Sequence, residues 1–351
     1  MKFGTFHLYS VPPWTTPHAV VRHQFAEILA AERFGLYEVW LAEHSSRTYG
    51  FVGNSVAVAA SIASATERIR IGTAVTRLPL HHPLRLAEDL AYVDIVSEGR
   101  LDWGIGKGYD QLEFATSGVN FEEREERWEE TFDAVRHMWT TGRTEFKGQF
   151  YDLADGELLP PPLGPIPTYV MVSGSESSVQ WAARQLLPFV IGSGPGWDDI
   201  PSRLELYAET AEAAGHPRAK IEENLANTWQ LRQVHVSDTT PGAIDEYRTG
   251  LMWYMDSLAN RAMFGFARDP KPYEYFVEHG AITLGSPEKV TEDLLAYNEQ
   301  THVNNVICWF SIGGQPHEQV MRALELFGTE VQPKLAGVVT PSLGAAAAAR
   351  T

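Results

Sequence analysis

Glu38-Val-Trp-Leu-Ala-Glu-His44 reads as a short buried strand that delivers one acid and one imidazole to its C-terminal end. Two later stretches share this form, an apolar run passing into a polar loop: Ile69–Arg77 and Arg100–Tyr109. In a parallel barrel the C-terminal ends of the strands open on one mouth, where catalytic groups gather. The repetition favours an enzyme.

Outward from that stretch, strand-like runs alternate with amphipathic helices. Lys2–Leu8 precedes a helix opening at Thr16-Pro17, with Val21, Phe25, Ile28 and Leu29 as its expected apolar face and Gly35 as its stop. Helices are expected over Asn54–Ala65 and from Pro83 to Gly99, and strands over Ile69–Val75 and Leu101–Ile105. Asn120 and Glu123 form a capping box before a helix that places Trp128, Phe132, Val135 and Trp139 on one face. Between Thr141 and Pro167 the alternation breaks at a hairpin around Lys147-Gly148 and a proline-rich run. It resumes with strands at Tyr169–Val172, Phe189–Ile191 and Thr228–Val236, and ends with Val303–Phe310 and a helix from about His317 to Leu335. About eight such units predict an α/β fold, a (β/α)₈ TIM barrel forming one domain over 1–336, with insertions at about 141–167 and 252–283. A doubly wound open sheet is the rival, because spacing alone does not prove closure. The alanine-rich tail, 337–351, has little to bury and is expected to be disordered.

A formal charge of 28 − 45 = −17 argues against nucleic acid or an anionic membrane surface as partner. No apolar run reaches a membrane-spanning length, and the first residues lack the form of a secretory signal. The single cysteine, Cys308, sits among apolar neighbours and reads as a buried thiol in a cytoplasmic protein.

Several groups invite chemistry. His44 follows a strand and has the right intrinsic acidity for a general base, although a hydrogen-bonded structural histidine fits equally well. Glu43 reads as structural, at a subunit contact. Gly104-Ile-Gly-Lys-Gly108 lacks the dinucleotide spacing, yet its glycines would let backbone N–H groups approach an anion beside Lys107. A tight strand-to-loop turn explains it as well. Val172-Ser-Gly-Ser-Glu-Ser-Ser178 runs from a strand into a helix and offers Ser175, Ser178 and free first-turn N–H groups to a phosphate. No metal motif and no serine-hydrolase elbow is present. The aromatic stretch Met252–Phe276 reads as a lid over an apolar site or as a packed insertion.

Met1-Lys-Phe-Gly-Thr-Phe, Val39-Trp-Leu-Ala-Glu-His44, Gly72-Thr-Ala-Val75, His82-Pro83, Gly99-Arg100, Trp181-Ala-Ala and Asn304-Asn-Val-Ile-Cys308, in this order, resemble the bacterial luciferase-like family of flavin-dependent monooxygenases. The likeness runs from about Lys2 to Leu335 and is greatest to the luciferase catalytic subunit. It implies that His44 is the catalytic histidine beside a flavin and that the Ala74-Val75 bond is a cis peptide under the flavin ring. It further implies that Lys107, Gly174, Ser175 and Ser178 hold the phosphate, with Glu113 and Trp253 at the flavin site. Gly106 stands where luciferase has its reactive cysteine, and Ser45 replaces a second histidine, so a non-luminescent relative is expected. The implied activity uses reduced FMN and O₂ to oxygenate a small, lipophilic organic substrate. The chain has no nicotinamide fingerprint, so a separate NAD(P)H-dependent flavin reductase is the expected partner, with a homodimer formed through the helices near Asn54–Ala65 and Pro83–Val96. Deazaflavin-dependent hydride transfer and a non-catalytic flavin-binding subunit are the alternatives.

Overall fold

The computed structural model describes residues 1–341 except 173, 194–196, 258–270 and 279–281. Eight parallel strands surround its centre: β1 (Lys2–His7), β2 (Glu38–Leu41), β3 (Arg70–Thr73), β4 (Leu101–Gly106), β5 (Thr168–Val172), β6 (Phe189–Ile191), β7 (Trp229–Val236) and β8 (Asn305–Trp309). Each pairs with the next, and β8 returns to β1 through Lys2↔Asn305 and Thr5↔Cys308. That return closes the sheet and excludes the open alternative.

The quoted stretch behaves as its composition requires. Val39, Trp40 and Leu41 are wholly buried, each side chain contributing roughly 1.5–3 kcal/mol by leaving water. Helices α1 (Pro17–Arg33), α2 (Ser55–Ala63) and α3 (Pro83–Val96) follow the first three strands, and Thr16 caps α1 by accepting from the Ala19 N–H at 3.2 Å. The hairpin pairs Phe146–Lys147 with Asp152–Leu153.

Some details depart from expectation. Val21 and Leu29 are exposed at 44% and 37%, whereas Ile28 is buried as expected and shares the inner face of α1 with Val20, Gln24 and Glu27. Buried partners at Gln24 and Glu27 rotated the true stripe away from the apolar one. A further strand, Ile282–Gly285, pairs with the second half of β7, and a long helix, Pro287–Thr301, follows it. Both sit at or beyond the end of the expected second insertion, whose start at 252 lies inside the helix Thr240–Ser257. Much of the rest of that segment lies outside the described residues. The expected tail does not begin at 337. Thr340 donates its N–H to Asn304 Oδ1 (2.9 Å), and Pro341 O accepts from His302. Residues 342–351 lie outside the described residues.

Candidate functional site

A cavity of about 610 Å³ opens at the C-terminal mouth of the barrel, between His44, the Ala74–Val75 step, the β4 loop and the start of helix α6 (Glu176–Arg184). Strand order explains the convergence. β2, β3 and β4 are neighbours, so the residues just beyond their ends, Glu43, His44, Arg77 and Lys107, must lie side by side.

His44 is held on three sides. Its Nδ1 lies 3.0 Å from Glu113 Oε1, and the rings of Tyr49 and Tyr109 pack edge-on at 5.0 and 5.7 Å. The same Glu113 oxygen accepts the Ser45 N–H at 2.8 Å. A carboxylate at Nδ1 assigns the proton to that nitrogen and leaves Nε2 for proton exchange with a ligand. Glu113 is carried by a short helix, α4 (Gln111–Thr116), which Asp110 caps at the Leu112 N–H. Asp110 is fixed in turn by Arg47, bidentate at 2.6 and 2.8 Å. The other Glu113 oxygen, Oε2, is buried without a hydrogen-bond partner; Arg77 Nη1 stands 2.8 Å away as an ion pair whose angle falls short of a hydrogen bond.

Behind this pair lies Glu43. It accepts from Ser55 N–H (3.1 Å) and Oγ (2.9 Å), from Arg77, and from His81 Nε2 (2.8 Å). His81, Arg77 and the Ser55 N–H bring its carboxyl down to about 2, against the opposing effect of burial. These partners give Glu43 the structural role expected of it, inside the chain.

The cavity lining also includes two further cations and several hydroxyls. Lys107 Nζ sits 2.5 Å from Glu125 and 5.0 Å above the Trp128 ring, and Arg124 lines the wall beside it. Gly174, Ser175, Ser177 and Ser178 line the same cavity. Ser175 occupies the N-cap position of α6 without making a side-chain cap; its hydroxyl shares a hydrogen bond of 2.5 Å with that of Ser177, and the Ser178 N–H reaches Ser175 O at 3.2 Å. Two of the glycines, Gly104 and Gly106, lie in β4 itself, where they are needed for close packing. A Cβ on Gly104 would lie 1.8 Å from Thr73 O, and one on Gly106 would lie 2.8 Å from Val75 Cγ2. They permit close packing on β3 and its continuation. The peptide between Ala74 and Val75 is cis, and both residues line the cavity.

The structure brings His44, Ala74, Val75, Lys107, Glu113, Gly174, Ser175 and Ser178 into one cavity. Trp253 is not part of its lining; its ring packs edge-on against Trp14 at 6.1 Å, and the next residue, Tyr254, lines the cavity with Trp309. One residue along a helix turns the side chain by about 100 degrees, which the aromatic run around it concealed. Arg77, Arg124 and Ser177 escaped the sequence reading, since an isolated arginine near a strand end carries no motif. Among the described residues no cluster suited to a metal ion is present, and no helix is long and apolar enough to cross a membrane.

Residues 1–304 match the model of the luciferase-like monooxygenase family. The chain belongs to that family. It is 27% identical over 358 residues to an alkanal monooxygenase alpha chain of Photorhabdus luminescens, covering 95% of this chain and 97% of that one. It is 32% identical over 210 residues to an F420-dependent glucose-6-phosphate dehydrogenase of Amycolatopsis mediterranei (strain U-32), covering 58% of this chain and 62% of the relative. Among solved structures, the oxygenating constituent of 3,6-diketocamphane monooxygenase from Pseudomonas putida, in complex with FMN, superposes with a TM-score of 0.80 at 21% identity, over 95% of this chain and 98% of that one. The chain is thus an oxidoreductase of the luciferase-like monooxygenase class on a TIM barrel.

Proposed function

We propose that this chain binds reduced FMN and uses it with O₂ to oxygenate a small, lipophilic organic molecule. The observation that carries the reading is the pairing, in one cavity, of a cation-and-serine lining with a carboxylate-oriented histidine. Lys107, Arg124, Ser175 and Ser178 suit a phosphate. The Ala74–Val75 step lends the cavity an apolar wall, and Glu113, ion-paired to Arg77 through Oε2, orients His44 through Oε1. When bound, the flavin supplies the electrons that activate dioxygen. His44 holds or accepts a proton at Nε2, while Phe6, Leu8, Met171, Leu231 and Trp309 keep the cavity dry. A separate NAD(P)H-dependent reductase supplies the reduced flavin. A homodimer is the proposed assembly; Tyr92 and Ile95 on α3 are 58% and 37% exposed.

The test is a binding titration with FMN, riboflavin and the deazaflavin F420, followed by photoreduced FMN and isotopically labelled dioxygen over a panel of aldehydes, ketones and terpenes. FMN should bind more tightly than riboflavin, and label should enter a product. Tight binding of the deazaflavin with FMN rejected would instead establish hydride transfer, the reading favoured by the Amycolatopsis relative. Binding of none of the three would end both.

A further inference from the structure

We infer that Arg77 is the positioning residue of this site: through Glu113 it fixes which nitrogen of His44 faces the ligand. This rests on the role proposed above for His44. Arg77 follows β3 and is 3% exposed, which is rare for an arginine without a specific task. It stands between two carboxylates. On one side its Nε and backbone N–H reach Glu43 Oε1 at 3.2 Å; on the other its Nη1 lies 2.8 Å from Glu113 Oε2.

The two carboxylates do not depend on it equally. Glu43 keeps both Ser55 donors and His81 if Arg77 is removed. Glu113 keeps only the Ser45 N–H and His44 itself, both on Oε1, and its Oε2 faces the guanidinium alone. Loss of the cation therefore falls on Glu113. A carboxylate buried without a counter-cation is strongly unfavourable. The side chain will turn away or take up a proton, and either change ends its acceptance of the His44 Nδ1–H. With that bond gone, the imidazole is free to carry its proton on Nε2, the nitrogen that must exchange it with a ligand.

Two measurements decide the matter. Nitrogen chemical shifts of the histidine-labelled, flavin-free protein report the tautomer of His44, whose signals are identified by their absence in His44→Gln. The Nδ1–H form should dominate in the natural protein and in Arg77→Lys, and Nε2–H should grow in Arg77→Met. Unchanged Nδ1–H in Arg77→Met overturns the proposal. Should Arg77→Met fail to fold, Arg77→Met with Glu43→Gln removes one charge of each sign and poses the same question. The second measurement is turnover. Arg77→Met should lose about 100-fold, the scale of a misplaced general acid–base group, Arg77→Lys less than tenfold, and Arg77→Met with His44→Gln no more than His44→Gln alone. Losses that simply multiply mark Arg77 as acting independently of His44 and overturn the proposal. A natural protein without turnover contradicts the oxygenase reading, whereas the tautomer measurement still decides Arg77.

Discussion

The two ends of strands β2, β3 and β4 carry the same three kinds of residue with opposite electrostatic outcomes. At the mouth stand Glu43, Arg77 and Glu113; at the floor stand Glu38, Arg70 and Asp102, the floor set having Glu38 opposite Arg70 in register. At the mouth the arginine lies between its two acids, and the Glu43 carboxyl is held at about 2. At the floor Arg70 grips Asp102 with two bonds of 2.6 and 2.7 Å and leaves Glu38 facing that aspartate. Burial first, then the Asp102 charge, raises the Glu38 carboxyl well above its ordinary value. One oxygen of Glu38 has no hydrogen-bond partner. The same parts make a donor-rich wall that holds a carboxyl down at the end bearing the cavity, and push a carboxyl up at the other end. Placement of the cation, more than composition, sets the difference.

The largest expected effect lies at the mouth. His44→Ala should lower turnover by at least about 100-fold with FMN binding retained; equal turnover with and without the imidazole would remove the functional half of the contrast. Next is Glu43→Gln, which leaves Arg77 and His81 short of a buried partner and should cost about 3–5 kcal/mol in denaturant unfolding. Its pH signature is specific. A carboxyl held at about 2 against 4.5 unfolded stabilises the fold by about 3 kcal/mol above pH 5, and that share disappears as the pH falls towards 2. Glu43→Gln should flatten this acid limb. The floor gives the opposite sign. Because the folded-state value of Glu38 is raised, its contribution is fullest below the unfolded value and is lost as pH rises towards the folded one. Glu38→Gln should therefore raise the melting temperature at neutral pH and leave the acid limb alone; a lowered melting temperature there would show that the floor acid is charged. Smallest is Ser55→Ala, which withdraws one of several donors to Glu43 and should cost about 1–2 kcal/mol.

Much of this was legible because it is periodic or local. The stretch ending at His44, the loop carrying Lys107 and the serine turn after β5 announce themselves by short-range pattern, and their convergence follows once the strands are parallel and adjacent. What sequence hid is what depends on orientation within a known element. Glu43 and Glu38 are similar letters at two ends of one strand, and only their partners distinguish them. Arg77 needed both of its acids in view. Trp253 and Tyr254 are neighbours in an aromatic run, and the helix phase that selects Tyr254 is set by contacts with Trp14 and Trp309. The strand Ile282–Gly285 is too short to stand out beside a segment rich in aromatics, although Ser286-Pro287 marks the start of the helix after it.

The contact between Gly106 and Val75 has a bearing on redesign. The two positions share one fixed volume, so a bulkier residue can enter the first only if the second shrinks by a similar amount. A reactive thiol introduced at position 106 would therefore call for alanine or glycine at 75, and the floor of the ligand chamber would change shape with it. Catalytic inventory and chamber contour are, at this spot, a single heritable trait.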